Sequence, residues 1–239
     1  MKKRYSLLMV MALVLSLSPR VYAMHISEGF LPPIWCGVYF LLSLPFVVIG
    51  LKHIRVKTEK SKDLKMLLGL VAAYVFVLSA TKLPSVTGSS SHPTGTGFGA
   101  ILFGPFVMAV ISVVVLLFQA IFLAHGGITT LGANVFSMGI VGPIVSYLVF
   151  TVTKKKNKKA AVFLAAMLGD LATYITTAIQ LGLAFPASNG GFLTSFTKFI
   201  SIFGITQIPL AIIEGILTVV IFKFIENYAA KEISDLREV

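Results

Sequence analysis

Cysteine is almost missing from this chain: the single thiol, Cys36, lies in an apolar stretch and can build neither an intramolecular disulfide nor a Cys-rich metal site. Charge is scarce as well. Only 12% of the 239 residues are charged, against the roughly 25% usual in soluble domains, while 56% are hydrophobic and the mean hydropathy is +0.93. Such a chain is an all-α integral membrane protein, a multi-pass protein of the cell membrane with lipid as its first partner. Nine acidic residues face 20 basic ones, a net charge of +11 that in a soluble chain would raise the question of nucleic acid. Here the basic residues sit in a few short stretches between apolar segments, so they report topology and not nucleic-acid binding.

Catalytic motifs are missing too. There is no G-x-x-x-x-G-K-[ST] phosphate loop and no Gly-Lys pair, so the chain binds no ATP by that device, and any ATP-driven work falls to a partner. No Ser-His-Asp order, no H-E-x-x-H and no carboxylate pair suggesting hydrolysis is present, and a lone Glu28 or Asp170 is not an acid-base pair. The chain does not read as an enzyme.

What is present begins with a processing signal. Basic Lys2, Lys3 and Arg4 precede an apolar run from Leu7 to Leu17, Pro19 ends the run, and Val21 and Ala23 supply the small-x-small pattern of signal peptidase. Residues 1–23 are expected to be a signal peptide and 24–239 a single transmembrane domain. Cleavage after Ala23 makes Met24 the mature N-terminus and His25 its second residue.

Apolar segments follow at about Ile34–Leu51, Leu64–Ala80, Phe98–Ala124, Val135–Val152, Ala160–Leu183 and Phe199–Ile225, each near or above the ~20 residues of a spanning helix. Lys52, Arg55, Lys57, Lys60, Lys62 and Lys65 form one basic connection, Lys154, Lys155, Lys156, Lys158 and Lys159 a second, and Lys231 and Arg237 lie in the tail. The positive-inside rule makes all three cytoplasmic. With the N-terminus outside, both large clusters can be inside only if Phe98–Ala124 goes in and comes back. Two full crossings of about 30 Å cannot fit at about 1.5 Å per residue, so the break at Gly104-Pro105 should separate a short or re-entrant helix from a full one. The expected architecture is about seven membrane helices with a cytoplasmic C-terminus.

That topology sorts the four histidines. His53 falls in the basic cytoplasmic loop; His25, His92 and His125 fall outside. A free amino terminus titrates at about 7.7 to 8.0 and histidine at about 6.5, so both can donate lone pairs near neutral pH. The Met24 amine, the His25 peptide nitrogen and the His25 imidazole can close adjacent five- and six-membered chelate rings. A fourth nitrogen would complete a tetragonal set suited to late first-row divalent metals rather than Mg or Ca. His92, in a loop rich in Gly, Ser and Thr, is the preferred fourth ligand. His125, before Gly126-Gly127, is second choice because it also fits a helix C-terminus. Asp170 and Glu214 lie within apolar helices, where a charge costs about 2.5 to 3.5 kcal/mol. Each should face a polar interior or a partner, with Gln119, Gln180, Gln207 or Thr173 as bundle hydrogen-bond partners.

The string Met24-His25-Ile26-Ser27-Glu28-Gly29-Phe30-Leu31-Pro32, the loop from Lys82 to Gly97 with Ser90-Ser91-His92-Pro93-Thr94-Gly95, and Pro209-Leu210-Ala211-Ile212-Ile213-Glu214-Gly215 resemble the CbiM family. Its members are the substrate-capture components of cobalt energy-coupling-factor transporters. The resemblance spans the mature chain. It implies Co(II) as the transported substrate, bound from outside by Met24, His25 and His92 and destined for cobalamin biosynthesis. It also implies the partners CbiQ, CbiO and CbiN, with CbiO the ATPase. Nickel-specific relatives have similar histidines but usually Asp-Gly where this chain has Glu28-Gly29, and four nitrogens would hold Ni(II) at least as well by affinity order. A self-sufficient metal carrier is the remaining alternative.

Overall fold

The computed structural model describes residues 25–60, 63–81, 83–84 and 90–237. Residues 1–23, the expected signal peptide, and Met24 lie outside the described residues. Among the described residues eight helices follow one another: α1 Pro33–Lys60, α2 Asp63–Ala80, α3 Thr96–Phe103, α4 Pro105–Leu123, α5 Leu131–Thr153, α6 Lys158–Ala184, α7 Gly191–Tyr228 and α8 Ala230–Arg237. A two-residue antiparallel ladder pairs β1 (Leu83–Pro84) with β2 (Ser90–Ser91). Six helices, α1, α2 and α4 to α7, are long and apolar enough to cross a membrane. The family of spans expected from composition is therefore present.

The stretch Phe98–Ala124 divides at the expected place. Gly104, with φ 88° and ψ 165°, adopts a backbone conformation that only glycine takes readily, and Pro105 opens α4 at the position where its missing N–H costs nothing. The eight residues of α3 rise only about 12 Å, less than half of a bilayer core. The helix is nonetheless central, because Gly97 lies against α6 so closely that a Cβ would sit 2.8 Å from the Cα of Ala166.

Burial ranks the other helices. Half of the apolar windows of α5 and α6 is buried, but only 22% of α1 and 28% of α2, so α1 and α2 lie at the rim with Leu41 and Met66 facing outward. Within α5, residues Val135–Val141 wind as a π-helix beside the site described below. One apolar core joins Val71, Phe98, Met108 and Met138, and a smaller one gathers Ile26, Leu31, Tyr39 and Tyr174 near the chain's start.

The first basic connection differs from expectation. Lys52, Arg55 and Lys57 are not in a loop but in the last turns of α1, because long-chain Lys, Arg and Glu are good helix formers and Arg55 pairs with Glu59 one turn on at 2.7 Å. His53 is accordingly a helical residue, its ring edge-on to Phe106 at 5.4 Å. Likewise, the tail carrying Lys231 and Arg237 forms α8. At the end of the bundle bearing these residues, a cavity of about 520 Å³ is lined by Lys57, Lys154, Lys158, Phe103, Gly104 and Tyr147, among others.

Candidate metal centre

The opposite end is built around the first described residues. Asn134, in the first turn of α5, uses its side-chain amide as a two-pronged clip on one residue: its Oδ1 accepts the Ile26 N–H at 2.9 Å and its Nδ2 donates to the Ile26 carbonyl at 3.1 Å. Thr130 donates to the same carbonyl at 2.6 Å. Two residues on, the Glu28 carboxylate accepts from the amides of Ile128 and Thr129 and from the Thr129 hydroxyl, while its own N–H donates to the Gly126 carbonyl at 3.2 Å. The Thr129 hydroxyl, followed by these amides, holds the Glu28 carboxyl below the usual carboxylate range. Gly127 leaves room for this seat, since a Cβ there would lie 2.4 Å from the Glu28 Cα.

The seat presents His25 to two other histidines. The chain leaves α4 through Ala124 in the left-handed conformation, φ 46°, with the N–H groups of Ala124 and His125 both directed to the Gln119 carbonyl. His125 thus does follow a helix terminus, yet its ring turns inward and is fully buried. Ring centroids lie 4.4 Å apart for His25 and His125, 4.5 Å for His25 and His92, and 5.1 Å for His92 and His125. One potential ligand atom from each lies within 4.8 Å of the others, and all three residues are buried. Among the described residues this is the one group of three or more such side chains that converges. Of the residues expected at the site, His25 and His92 are together, His125 joins them, His53 is elsewhere, and Met24 lies outside the described residues.

Surrounding bonds fix how His92 is offered. Its Nδ1 lies 3.0 Å from the Pro93 carbonyl, which can only accept, so Nδ1 carries the proton and Nε2 keeps the lone pair. The His92 carbonyl accepts from the Tyr174 hydroxyl at 2.7 Å and from Gln207 Nε2 at 3.2 Å. Glu214 accepts the Thr94 N–H at 2.6 Å and the Gly95 N–H at 2.9 Å. A hydrogen bond to a charged group is worth about 1.5 to 3 kcal/mol, so two suffice to offset the ~2.5 to 3.5 kcal/mol of placing a charge within a membrane helix. Gln207, Glu214 and Thr218 recur at a spacing that puts them on one face of α7, and all are buried. Gln207 and Glu214 were visible in the sequence as polar residues in an apolar helix; their partners in the His92 loop, 115 to 120 residues away, were not.

A nitrogen-lined, buried pocket in a multi-pass helical bundle suits a soft or borderline divalent metal. A family model for the cobalt uptake substrate-specific transmembrane region, CbiM, matches residues 25–232. The chain belongs to the CbiM family. The cobalt transport protein CbiM of Clostridium tetani is 66% identical over 236 residues, covering 99% of this chain and 98% of its own. Its counterpart in Desulforamulus reducens is 63% identical over 207 residues, 87% and 83% of the two chains. The crystal structure of a truncated transition metal transporter matches with a TM-score of 0.73 and 26% identity, across 85% of this chain and 99% of that one. A second transition metal transporter shares the fold at a TM-score of 0.74 and 24% identity, over 85% and 93%. Membership in the CbiM family makes this a membrane-embedded cobalt-transport component and not an enzyme.

Proposed function

We propose that the chain is the capture subunit of an energy-coupling-factor cobalt importer, taking Co(II) from the extracytoplasmic side at the pocket of His25, His92 and His125. The observation that carries this reading is the convergence of the three buried imidazoles. Cleavage after Ala23 adds the Met24 amine and the His25 peptide nitrogen. These two, the His25 imidazole and His92 Nε2 then form a four-nitrogen set, with His125 closing the third side of the pocket. The cargo enters with its water shell replaced by nitrogen donors already held in place, which lowers the reorganisation needed on binding.

The proposed topology has seven membrane helices counting the short α3, an exported N-terminus and a cytoplasmic C-terminus. In its favour, the three histidines assigned to the outside meet at one end, whereas Lys57, Lys154 and Lys158 line one cavity at the other. The partners of this reading are the coupling protein CbiQ, the ATPase CbiO and the small subunit CbiN, which would drive inward release that a chain without a phosphate loop cannot power.

The deciding experiment combines a metal analysis of the purified mature protein with identification of its N-terminal residue and uptake of labelled cobalt with and without the ATPase. Met24 at the N-terminus, one bound Co(II) and ATPase-dependent uptake are expected. Full uptake without the ATPase would make the chain a self-sufficient carrier. Because nitrogen donors favour Ni(II) at least as strongly, a competition titration with Ni(II) separates the nickel-specific alternative.

A further inference from the structure

The cavity at the lysine end plays no part in capture, and its lining has a chemistry of its own. It is one lobe of a larger cleft. A second lobe of about 500 Å³ shares Lys57, Phe103, Gly104 and Tyr147 with it and extends to His53, Val56 and Phe106. The cleft lies at the break between α3 and α4, and each lobe is within the ~300 to 1,000 Å³ of small-molecule sites.

Two kinds of wall meet there. The polar part is Lys57, Lys154 and Lys158 with Tyr147 and Thr151, and among the described residues no Asp or Glu lines either lobe. A lysine ammonium only donates, so the complement of this part is an anion. The apolar part is Phe103, Phe150, Phe222, Ile233 and Leu236, none of them more than 9% exposed, so packing holds that wall in place. Charge and hydrocarbon are stacked directly: Lys154 Nζ lies 5.6 Å from the centre of the Phe150 ring, Lys158 Nζ lies 5.1 Å from that of Phe222, and the two rings pair at 6.4 Å. An inorganic anion would answer the lysines and leave the aromatic wall uncovered. A neutral hydrocarbon would do the reverse, and an anion joined to a hydrocarbon chain answers both.

The way in is from the bilayer. Val56 on α1 and Tyr147 on α5 line the cleft yet are 50% and 41% exposed, and Leu148 and Val152 continue that exposed apolar surface along α5. On a membrane helix such residues face lipid. Basic pockets between membrane helices at the cytoplasmic face are sites for anionic headgroups.

We propose that this cleft binds one anionic phospholipid of the cytoplasmic leaflet, its phosphate facing Lys57 and Lys154 and its first acyl methylenes against Phe103, Phe150 and Phe222. Lys158 pairs with Glu226 and adds its charge from behind. The choice of leaflet rests on the topology proposed above; the chemistry of the site does not.

The test is native mass spectrometry of the full-length protein in detergent, titrated with phosphatidylglycerol and with phosphatidylcholine of the same acyl chains. One phosphatidylglycerol per chain should be retained, and phosphatidylcholine should bind at least fivefold more weakly. Lys154→Gln should weaken phosphatidylglycerol binding roughly fivefold, the scale of one basic residue at an anionic membrane surface, and Lys57→Gln combined with it roughly 25-fold. Lys154→Arg should keep the affinity. Lys155→Gln removes the same charge from a residue that lines neither lobe and should change binding by less than about twofold. Equal retention of the two lipids, equal effects of Lys154→Gln and Lys155→Gln, or displacement of the lipid by inorganic phosphate would overturn the proposal. So would a photo-crosslinker at Tyr147 that captures a protein and no phospholipid in membranes. Labelling of Lys155→Cys, in a Cys36→Ser background, by an impermeant reagent outside intact cells would sink the topology and the leaflet while leaving the binding measured in detergent intact.

Discussion

The histidine end and the lysine end of this bundle are opposites in construction. At the histidine end, the N–H groups of Ile26, Glu28 and Gly29 and the Ile26 carbonyl are tied to residues about a hundred positions away, and the three rings face one another in a buried pocket. At the lysine end a cavity of about 520 Å³ is walled by α1, α3 and α5 to α8, and Lys158 and Lys154 make peripheral contacts there: Lys158 with Glu226, Lys154 over the Phe150 ring. Pre-formed geometry selects a small ion; a wide, cationic, partly apolar cavity does not. The comparison teaches that the pre-formed pocket and the wide cavity are separated by the thickness of the bundle, with the short α3 following the His92 loop and lining the cavity through Ile101, Leu102 and Phe103.

The largest expected effect tests the histidine end at its start. Inserting one residue between Ala23 and Met24, with cleavage after Ala23 retained, moves the amine away from His25 and should lower Co(II) affinity by roughly a hundredfold or more, because a chelate ring is lost. Unchanged affinity in calorimetry would remove the N-terminal chelate. Next, His92→Ala should exceed the ~10- to 100-fold loss typical of supporting residues, His125→Ala should stay within it, and His53→Ala should have no effect. The opposite order for His92 and His125 would exchange their roles.

Gly127→Ala is the third in size. It drives a Cβ into the Glu28 backbone, an overpacking that typically costs about 1 to 3 kcal/mol, and should be read as faster proteolysis of the N-terminal segment. Lys154→Ala sharpens the contrast from the other side: Co(II) affinity should be unchanged, and a drop would mean the two ends are not separate. The smallest effect is that of pH on Glu28. Its folded-state pKa lies below the ordinary value, so its contribution is complete above the ordinary carboxylate range and is lost as pH falls through the depressed value. Melting curves of the metal-free protein and of Glu28→Gln should differ at neutral pH and converge in acid.

Much of the fold was legible because membrane helices announce themselves by length and apolarity, and because Gly104-Pro105 breaks a helix for local reasons. Charge parity then sufficed to put three histidines on one side. It could not bring their rings together, since that depends on Asn134 clipping Ile26 and on Glu28 fitting against Gly127, contacts between distant segments that leave no periodic trace. His53 was misplaced for a related reason: a run of Lys and Arg marks the cytoplasmic side, but those side chains also extend a helix readily. Asp170 read as solitary because its partner lies on another helix.

The clip between Ile26 and Asn134 also sets a clock. At roughly 5 to 20 residues per second, the ribosome needs on the order of 5 to 20 s to add the residues separating the two. The beginning of the chain must therefore wait, already synthesised, for its seat to be made. The histidine pocket is among the later features to form in biogenesis, although one of its three rings is synthesised a hundred residues before the last.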